Sequence, residues 1–577
     1  MANGFGSFYV GNSGLQYAQN ALNVTANNLA NVNTTGYVRE QVRFADRHYI
    51  TRNNPTSRTN MQQSGLGVSI GDVAHARDIF LDKAFRLETG RQNFYDECYN
   101  VTSYIEDMFQ ELDGEEFKQS ISDLWIAVQE FAKDPSDSTN QNLLLQKGEL
   151  ILSRGQALYT NLQNYQSNIN QQIKDEVNRM NEIGKRVYQL NLEIQKIESG
   201  HVETAMTLRD ERDALIDELA TFGKVEVRED STGFLYVEVE SVSFVDDGKC
   251  NEIGLNPEKG TGFYTPYWPQ LSNVNAEEYY KVFKTDEEIS TLLNNDIGSV
   301  KALLIQRGET YGRYSDLDDG RYDQIEDCAC METQAQIDYL LRNIVISMND
   351  IFCPNVTAQE ALDLEEGDTI IAHDAQGNEY EINWETIVLD KEKASVGTDG
   401  ELPPQELFVR VGADRYTTVT DDEGNTYYIY NEEYPGDTST WYALGSISIN
   451  PELAKTITKM PAFTANGQVD YAMGKKLSDA WQENIMYINP YDASPCNFEN
   501  YYNKILSNLG TKGSVYDSAN KTLTDTATSI DNQRQQVTGV SSDEELTHMI
   551  KFQSAYNAAS RYITVINQMT ELIVGLI

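Results

Sequence analysis

Apolar residues near the start of the chain recur every seven positions: Phe8, Leu15, Leu22 and Leu29, with Gly11, Ala18, Thr25 and Val32 between them. Steps of three and four, with small residues on one of the two positions, predict a helix over roughly residues 12–31 that lies along another helix. The run Asn31-Val-Asn-Thr-Thr-Gly36-Tyr37 stops it, because Asn and Gly accept left-handed backbone. Residues 39–44 then alternate like a short strand. The far end mirrors this. After Met549, the series Phe552, Tyr556, Ala559, Ile563, Ile566, Thr570, Ile573, Ile577 advances in alternating threes and fours, and only Thr570 is polar. Ser541 or Ser542, with Glu544 and Glu545 behind it, supplies an N-cap with acids in the first turn. One apolar stripe can be no more than the core face of a helix. A seam carried to the last residue, where helices ordinarily fray, argues instead for support from outside.

Between the ends the helical period dominates. Residues 90–133 read as helix up to Asp134-Pro135, and a very long helix is expected over about 142–199. In it Ile169, Ile173, Glu176, Met180, Ile183, Val187, Leu190, Ile194 and Ile197 keep heptad spacing, and Gly200 can end it. A third helix covers residues 203–219. From residue 225 the period changes to two, with turn signals at Asp230-Ser-Thr-Gly233 and Asp246-Asp-Gly248. Helix returns near 296–310, 331–352, 451–490 and 514–537, while 355–440 is rich in acid, Tyr and Gly, with turns at Asp374-Ala-Gln-Gly377 and Asp421-Asp-Glu-Gly424. The fold class is therefore mainly α with β insertions (α+β). Residues 1–60 with 530–577 are expected to form a terminal coiled coil, and 61–224 with 296–354 and 441–529 a long-helix bundle. Residues 225–295 make a β-rich subdomain and 355–440 a β-rich outer insertion.

Charge sharpens the picture. The formal net charge is −44, which excludes general nucleic-acid binding and docking on an anionic membrane. Yet residues 1–38 contain no Asp, Glu, Lys or Arg; the first charge is Arg39. A buried charge is costly, so this segment reads as one that lies against partners. No basic n-region with an apolar h-region opens the chain, and no apolar run is long enough for a membrane span.

Candidate chemistry is thin. Asp210, Glu211, Asp213 and Asp217, beside Arg209 and Arg212, read as ion pairs within one helix rather than a catalytic cluster. Asp316-Leu-Asp-Asp-Gly320 is like a calcium loop, but its Gly falls one place early for an EF-hand. Cys328-Ala-Cys330 with Cys353 lacks a fourth ligand at zinc spacing, and Cys98, Cys250 and Cys496 add no disulfide framework. His48, His75, His201, His373 and His548 form no i, i+4 pair. No catalytic, cofactor-binding or metal residue is assigned.

The ends resemble a known family. Ala21-Leu-Asn-Val-Thr-Ala-Asn-Asn-Leu-Ala-Asn-Val-Asn-Thr-Thr-Gly-Tyr37 is similar to the N-terminal signature of flagellar rod, hook and hook-associated proteins. Asp543-Glu-Glu545, Met549-Ile-Lys-Phe-Gln-Ser-Ala-Tyr556 and Ala558-Ala-Ser-Arg561 resemble the closing helix of that family. Gly36-Tyr-Val-Arg39-Glu-Gln41, Leu208-Arg-Asp-Glu-Arg-Asp-Ala-Leu-Ile-Asp217 and Ile447-Ser-Ile-Asn-Pro-Glu-Leu453 look like its hook-associated branch, although Val38 stands where Ser is common. The resemblance implies a non-enzymatic structural subunit of the bacterial flagellum, exported without a cleaved signal peptide, at the hook–filament junction. It implies a tubular layer of self-associated copies, with hook protein and a second junction protein as neighbours and a cytoplasmic export chaperone on the C-terminal end. The assembly interface falls on Leu15, Leu22, Asn27, Asn28, Leu29, Asn31, Asn33, Gly36 and Tyr37, and on Met549, Phe552, Gln553, Tyr556, Ile563, Ile566 and Ile573. The alternatives are a hook or distal-rod-like axial subunit, or one whose outer insertion is adhesive or hydrolytic. Removal of the outer insertion over 360–435 should leave motility largely intact.

Overall fold

The computed structural model describes residues 2–34, 36–46, 49–53, 61–109, 117–200, 204–318 and 320–575. Among them the fold is mainly helical with small antiparallel sheets. Helix α1 (Ala2–Ala30) starts well before the expected residue 12. Strands β1 (Glu40–Asp46), β2 (Ile50–Asn53), β3 (Met61–Ser64) and β4 (Val68–His75) form two pairs, β1 with β4 and β2 with β3. The single helix expected up to residue 133 is two, α2 (Ile79–Phe109) and α3 (Phe117–Lys133), flanking residues outside the described set.

Helix α4 (Ser138–Glu198) has 61 residues, about 90 Å at ~1.5 Å per residue. Asp137 caps it, its Oδ1 accepting from Thr139 N at 2.8 Å, because a short carboxylate satisfies an amide that has no partner in the first turn. Its buried stripe is the expected heptad with two changes: Val177 takes the place of Glu176, and Ile197 is exposed in the last turn. Helix α5 (Met206–Phe222) packs back on α4, and β5 (Val225–Glu229), β6 (Leu235–Val239) and β7 (Val242–Val245) make a three-stranded meander. The pair β8 (Gly254–Pro257) and β9 (Tyr264–Tyr267) follows, then α6 (Ser299–Arg307) and α7 (Ala329–Phe352).

Strand β10 (Asn355–Thr357), helix α8 (Ala358–Leu362) and strands β11 (Thr369–Asp374), β12 (Glu379–Asn383) and β13 (Ile387–Leu389) open a second sheet. After β14 (Phe408–Arg410) it is completed by β15 (Tyr416–Asp421) and β16 (Thr426–Tyr430), in the order β10-β13-β16-β15-β11-β12. The two expected turns close its hairpins: Asp374 and Asp421 each accept from the backbone four residues on, and Gly377 and Gly424 take the left-handed φ of +84° and +88°. Strand β14 leaves this sheet to pair with β17 (Ile447–Ile449). Over 451–490, where continuous helix was expected, stand only α9 (Pro451–Lys455) and α10 (Tyr471–Gln482), because Pro461 and a Thr464–Gln468 turn interrupt the backbone. Helix α11 (Phe498–Thr538) begins earlier than expected, capped by Asn497, and runs along α2; α12 (Ser542–Val574) runs along α1. One large core joins α2–α7, α10, α11 and the meander; a small separate core holds Ala372, Ile382, Val388 and Val419 inside the second sheet.

Candidate assembly interface

Helices α1 and α12 are antiparallel, since Gly11 lies against Ile563, Gly14 against Ala559 and Asn28 against Glu545. Their contact differs from the leucine seam expected from the heptads. The stripe of α1 that is buried is small: Gly11, Ala18, Ala21, Thr25 and Asn28. Leu15, Leu22 and Leu29 flank it half-buried, and Phe8 is 43% exposed. Close approach explains the shift. A Cβ on Gly11 would stand 2.8 Å from Ile563 Cγ1, so small residues let the backbones meet and leucines are pushed to the shoulders. On α12, Met549, Phe552, Tyr556 and Ile563 are half-buried, Ile566 is buried, Gln553 is exposed and Ile573 is 49% exposed; Ile577 lies outside the described residues. Tyr17 meets Phe44 and Phe552 edge-on at 4.3 and 6.2 Å.

Around this pair the signature residues form a knot. Asn28 Oδ1 accepts from Tyr37 OH (2.8 Å) and Glu40 N (3.0 Å). Its Nδ2 donates to Glu40 O (3.0 Å) and Glu545 Oε2 (3.2 Å). Every hydrogen-bonding site of this buried amide is therefore used inside the chain. Asn27 reaches Glu40 and Tyr37, Asn31 reaches back to Asn27, while Asn33 and Gly36 are exposed, Gly36 with φ +81°. Arg39 Nε donates to Glu545 Oε1 at 2.9 Å and its amide to Thr538 O at 2.8 Å, joining strand β1 to both α11 and α12. Burial raises the Glu40 carboxyl and the Tyr37 phenol above their ordinary values.

The carboxylates of α5 do not pair within their helix. Asp213 meets Arg77 of the β4–α2 link, and Asp217 accepts from Arg86 of α2 and Arg534 of α11, both at 2.7 Å. Glu211 pairs with Arg186 of α4, Arg209 with Glu198 and Glu229, and Arg212 is buried against Asn191 and Gly233 O. A helix face turned towards three neighbours offers its acids better-placed cations than its own turn does. Asp210 accepts the Val38 amide at 3.2 Å; burial raises its carboxyl to about 6. Beside it burial, then Arg77, lowers His75 to about 4. A cavity of about 880 Å³ separates this hub from the knot, with Asn31, Tyr37, Arg77, Asp213, Arg534 and Thr538 in its walls. Arg77, Arg86 and Arg534 carry no periodic signal and were missed from sequence; the small stripe had one, since Gly11, Gly14, Ala18, Ala21, Thr25 and Asn28 alternate threes and fours.

Elsewhere, among the described residues, no three His, Cys, Asp or Glu side chains converge on a metal position, and no helix is long and apolar enough to cross a membrane. Cys328 caps α7, its Sγ accepting from Met331 N, and burial raises its thiol to about 12. Asp316 of the acidic turn accepts from Arg313 N at 2.9 Å; Asp319, His48 and His201 lie outside the described residues. Among the residues the terminal pair leaves uncovered are large apolar ones. Phe8, Tyr9 and Val10 of α1 are exposed, and on α12 Ile550 is 65%, Val565 51%, Met569 58%, Leu572 68% and Val574 67% exposed.

Comparison with known proteins places similarity on the same segments. Residues 102–351 match the flagellar hook-associated protein FlgK helical domain, 8–37 the flagella basal body rod protein family, and 532–576 the flagellar basal body rod FlgEFG protein C-terminal family. Flagellar hook-associated protein 1 of Bacillus subtilis is 24% identical over 587 residues, covering 97% of this chain and 96% of its own. The Escherichia coli protein of that name is 22% identical, with 98% of each chain covered. Flagellar hook protein FlgE of Borreliella burgdorferi is 38% identical over 99 residues, 15% of this chain and 22% of its own. Among solved structures, the flagellar hook junction protein FlgK from Burkholderia pseudomallei aligns with a TM-score of 0.48 and 12% identity, over 78% of this chain and 99% of that one.

Proposed function

Because the chain belongs to the flagellar hook-associated family, we propose that it is a structural subunit of the hook–filament junction, whose copies assemble through α1 and α12 into a tubular layer. One observation carries the assembly part of this reading. The two helices spend their small residues on each other and keep Phe8, Tyr9, Val10, Val565, Met569, Leu572 and Val574 facing out. Large apolar side chains held in water on a chain of charge −44 mark a contact face, since water penalises them and the acidic body keeps the free subunit soluble.

In this layer the terminal pair (1–60 with 530–577) lines the inside, the long-helix bundle surrounds it, and residues 225–295 and 355–440 face outward. The half-covered Leu15, Leu22 and Leu29 and the exposed Gln553 and Ile573 belong to the contact with sister copies; Asn28 and Tyr37 shape it from within. The neighbours along the axis are hook protein on one side and a second junction protein on the other. A cytoplasmic chaperone covers the apolar face of α12 before export, which needs no cleaved signal. The role is mechanical and not enzymatic.

Replacing Val565 and Leu572 by Asp tests the reading. Cells carrying this variant should build hooks and shed filament protein into the medium, seen by electron microscopy and immunoblot. Filaments still attached to hooks overturn it.

A further inference from the structure

A groove of about 370 Å³ runs between α2 and strand β5, away from the terminal pair. Lys224 and the first three residues of the strand, Val225 to Val227, line it in unbroken succession. A sheet face would contribute alternate residues, so the groove follows the strand's edge. That edge is open: β5 is the first strand of the meander and pairs only with β6, and no strand or bridge meets its other side among the described residues. An open edge presents unpaired amides and carbonyls, a template for another strand.

The walls say what kind of strand. Leu87, Val225, Val227 and Ile297 are apolar, and Lys83, Lys224 and Glu226 stand on the rim. Lys83 is exposed, and its ammonium has no ion pair or hydrogen bond among the described residues. Lys224 lies 3.2 Å from Glu226, and Arg86 is taken by Asp217. One end of the groove is closed by Asn294, part of a tight turn that holds Leu292 at 91% and Leu293 at 62% exposure. The turn is rigid. Arg91 donates to Thr291 O at 3.0 Å and to Asn294 and Asp296, and Lys301 donates to Asn295 O at 2.7 Å. Two leucines braced in water beside an open strand edge are costly to display unless something covers them.

We propose that this groove receives an extended, acid-bearing segment of a second copy of this chain, which adds a strand to β5. The carboxylates of that segment meet Lys83 and Lys224, and its apolar side chains cover Leu87, Val227 and the Leu292–Leu293 turn. Charge complementarity selects the occupant: Lys83 stands on the rim without an acidic partner among the described residues, and a sister copy, at net charge −44, brings the carboxylates to meet it. The contact is heterologous, groove against a different surface, and such contacts propagate around a ring or helix instead of closing a dimer. The inference rests on the layered assembly proposed above and adds a lateral contact outside the terminal helices.

The test is made in flagellated cells with the full chain. A photoreactive benzoyl-phenylalanine is placed at position 83 and, in a second strain, at position 292. Irradiation should give a product of two copies of this chain at both positions, identified by mass spectrometry, and K224E should abolish it at position 292. K83E/K224E, exported and folded as judged by circular dichroism, should lose the product and most attached filaments. A product with a different flagellar protein, or no product in cells whose filaments remain attached, overturns the groove and leaves the junction reading standing. Filaments that persist in cells lacking the whole chain overturn the junction reading itself.

Discussion

Asn28 shows how much one side chain carries at the joint. Its amide holds the β1 backbone, the Tyr37 phenol and the Glu545 carboxylate together, fully buried. Asn28→Ala leaves Glu545 buried without that donor, a loss of about 1–3 kcal/mol. It should raise hydrogen exchange in α1 and α12 while α4 and α7 keep their protection; equal loss everywhere would refute a local role. Titration gives a second expectation. Burial raises Glu97 and Glu406 to about 7 and Asp338 and Asp210 to about 6. The folded state then holds protons that the unfolded chain, with ordinary carboxyls near 4, has already released. The sign follows: stability rises as pH falls from about 8 to about 5. His75 opposes this from about 6.5 downwards, because folding lowers it to about 4, but it is one group against four. The thermal midpoint should therefore be higher at pH 5.5 than at pH 8; the reverse order would refute the assignment.

At the scale of elements, periodicity foretold which helices exist better than how they touch. The 61-residue α4 was visible because its stripe repeats for eight turns or more. The α1 seam was visible too, yet it was centred on the leucines, since a hydrophobicity pattern weights large residues and close packing rewards small ones. The α5 hub was out of reach: its cations come from residues 77, 86 and 534, brought together only by the fold. Gly90 makes the same point. In sequence it is a mild defect in helix α2; in the fold a Cβ there would lie 2.8 Å from the Ala220 carbonyl oxygen of α5 and 2.7 Å from Ile297. Backbone cannot yield as a side chain can, so Gly90→Ala should force α2 and α5 apart, costing about 1–3 kcal/mol despite the better helix propensity of alanine. Urea unfolding reads this; a stabilised variant would show that the crossing is slack.

For the whole molecule, composition and the two ends foretold an axial subunit, but the outer insertion is less separable than its sequence implies. The stretch 355–440 looks like one β-rich unit, yet the chain passes through the main core midway along it. Leu407 and Phe408 are fully buried there, with Phe408 against Gly148 of α4, and β14 pairs with β17 outside the second sheet. Glu406 meets Asn349 of α7 at 3.0 Å, and Arg415 donates to Asp350 and to Cys353 O. Alternating hydrophobicity cannot say which of two cores a strand enters, so the interleaving was illegible. Deleting 360–435 therefore removes part of the bundle's own core. Losing Phe408 alone is equivalent to a large-to-small change of about 3–5 kcal/mol, and the deletion should lower the thermal midpoint and abolish filament attachment. Replacing only the hairpin 370–382 by a short Gly-Ser turn spares these contacts, because Ile370 and Ile382 pack in the sheet's own small core. That variant should unfold with an unchanged main transition and carry filaments. If the long deletion were tolerated as well as the short one, the two cores would be independent after all.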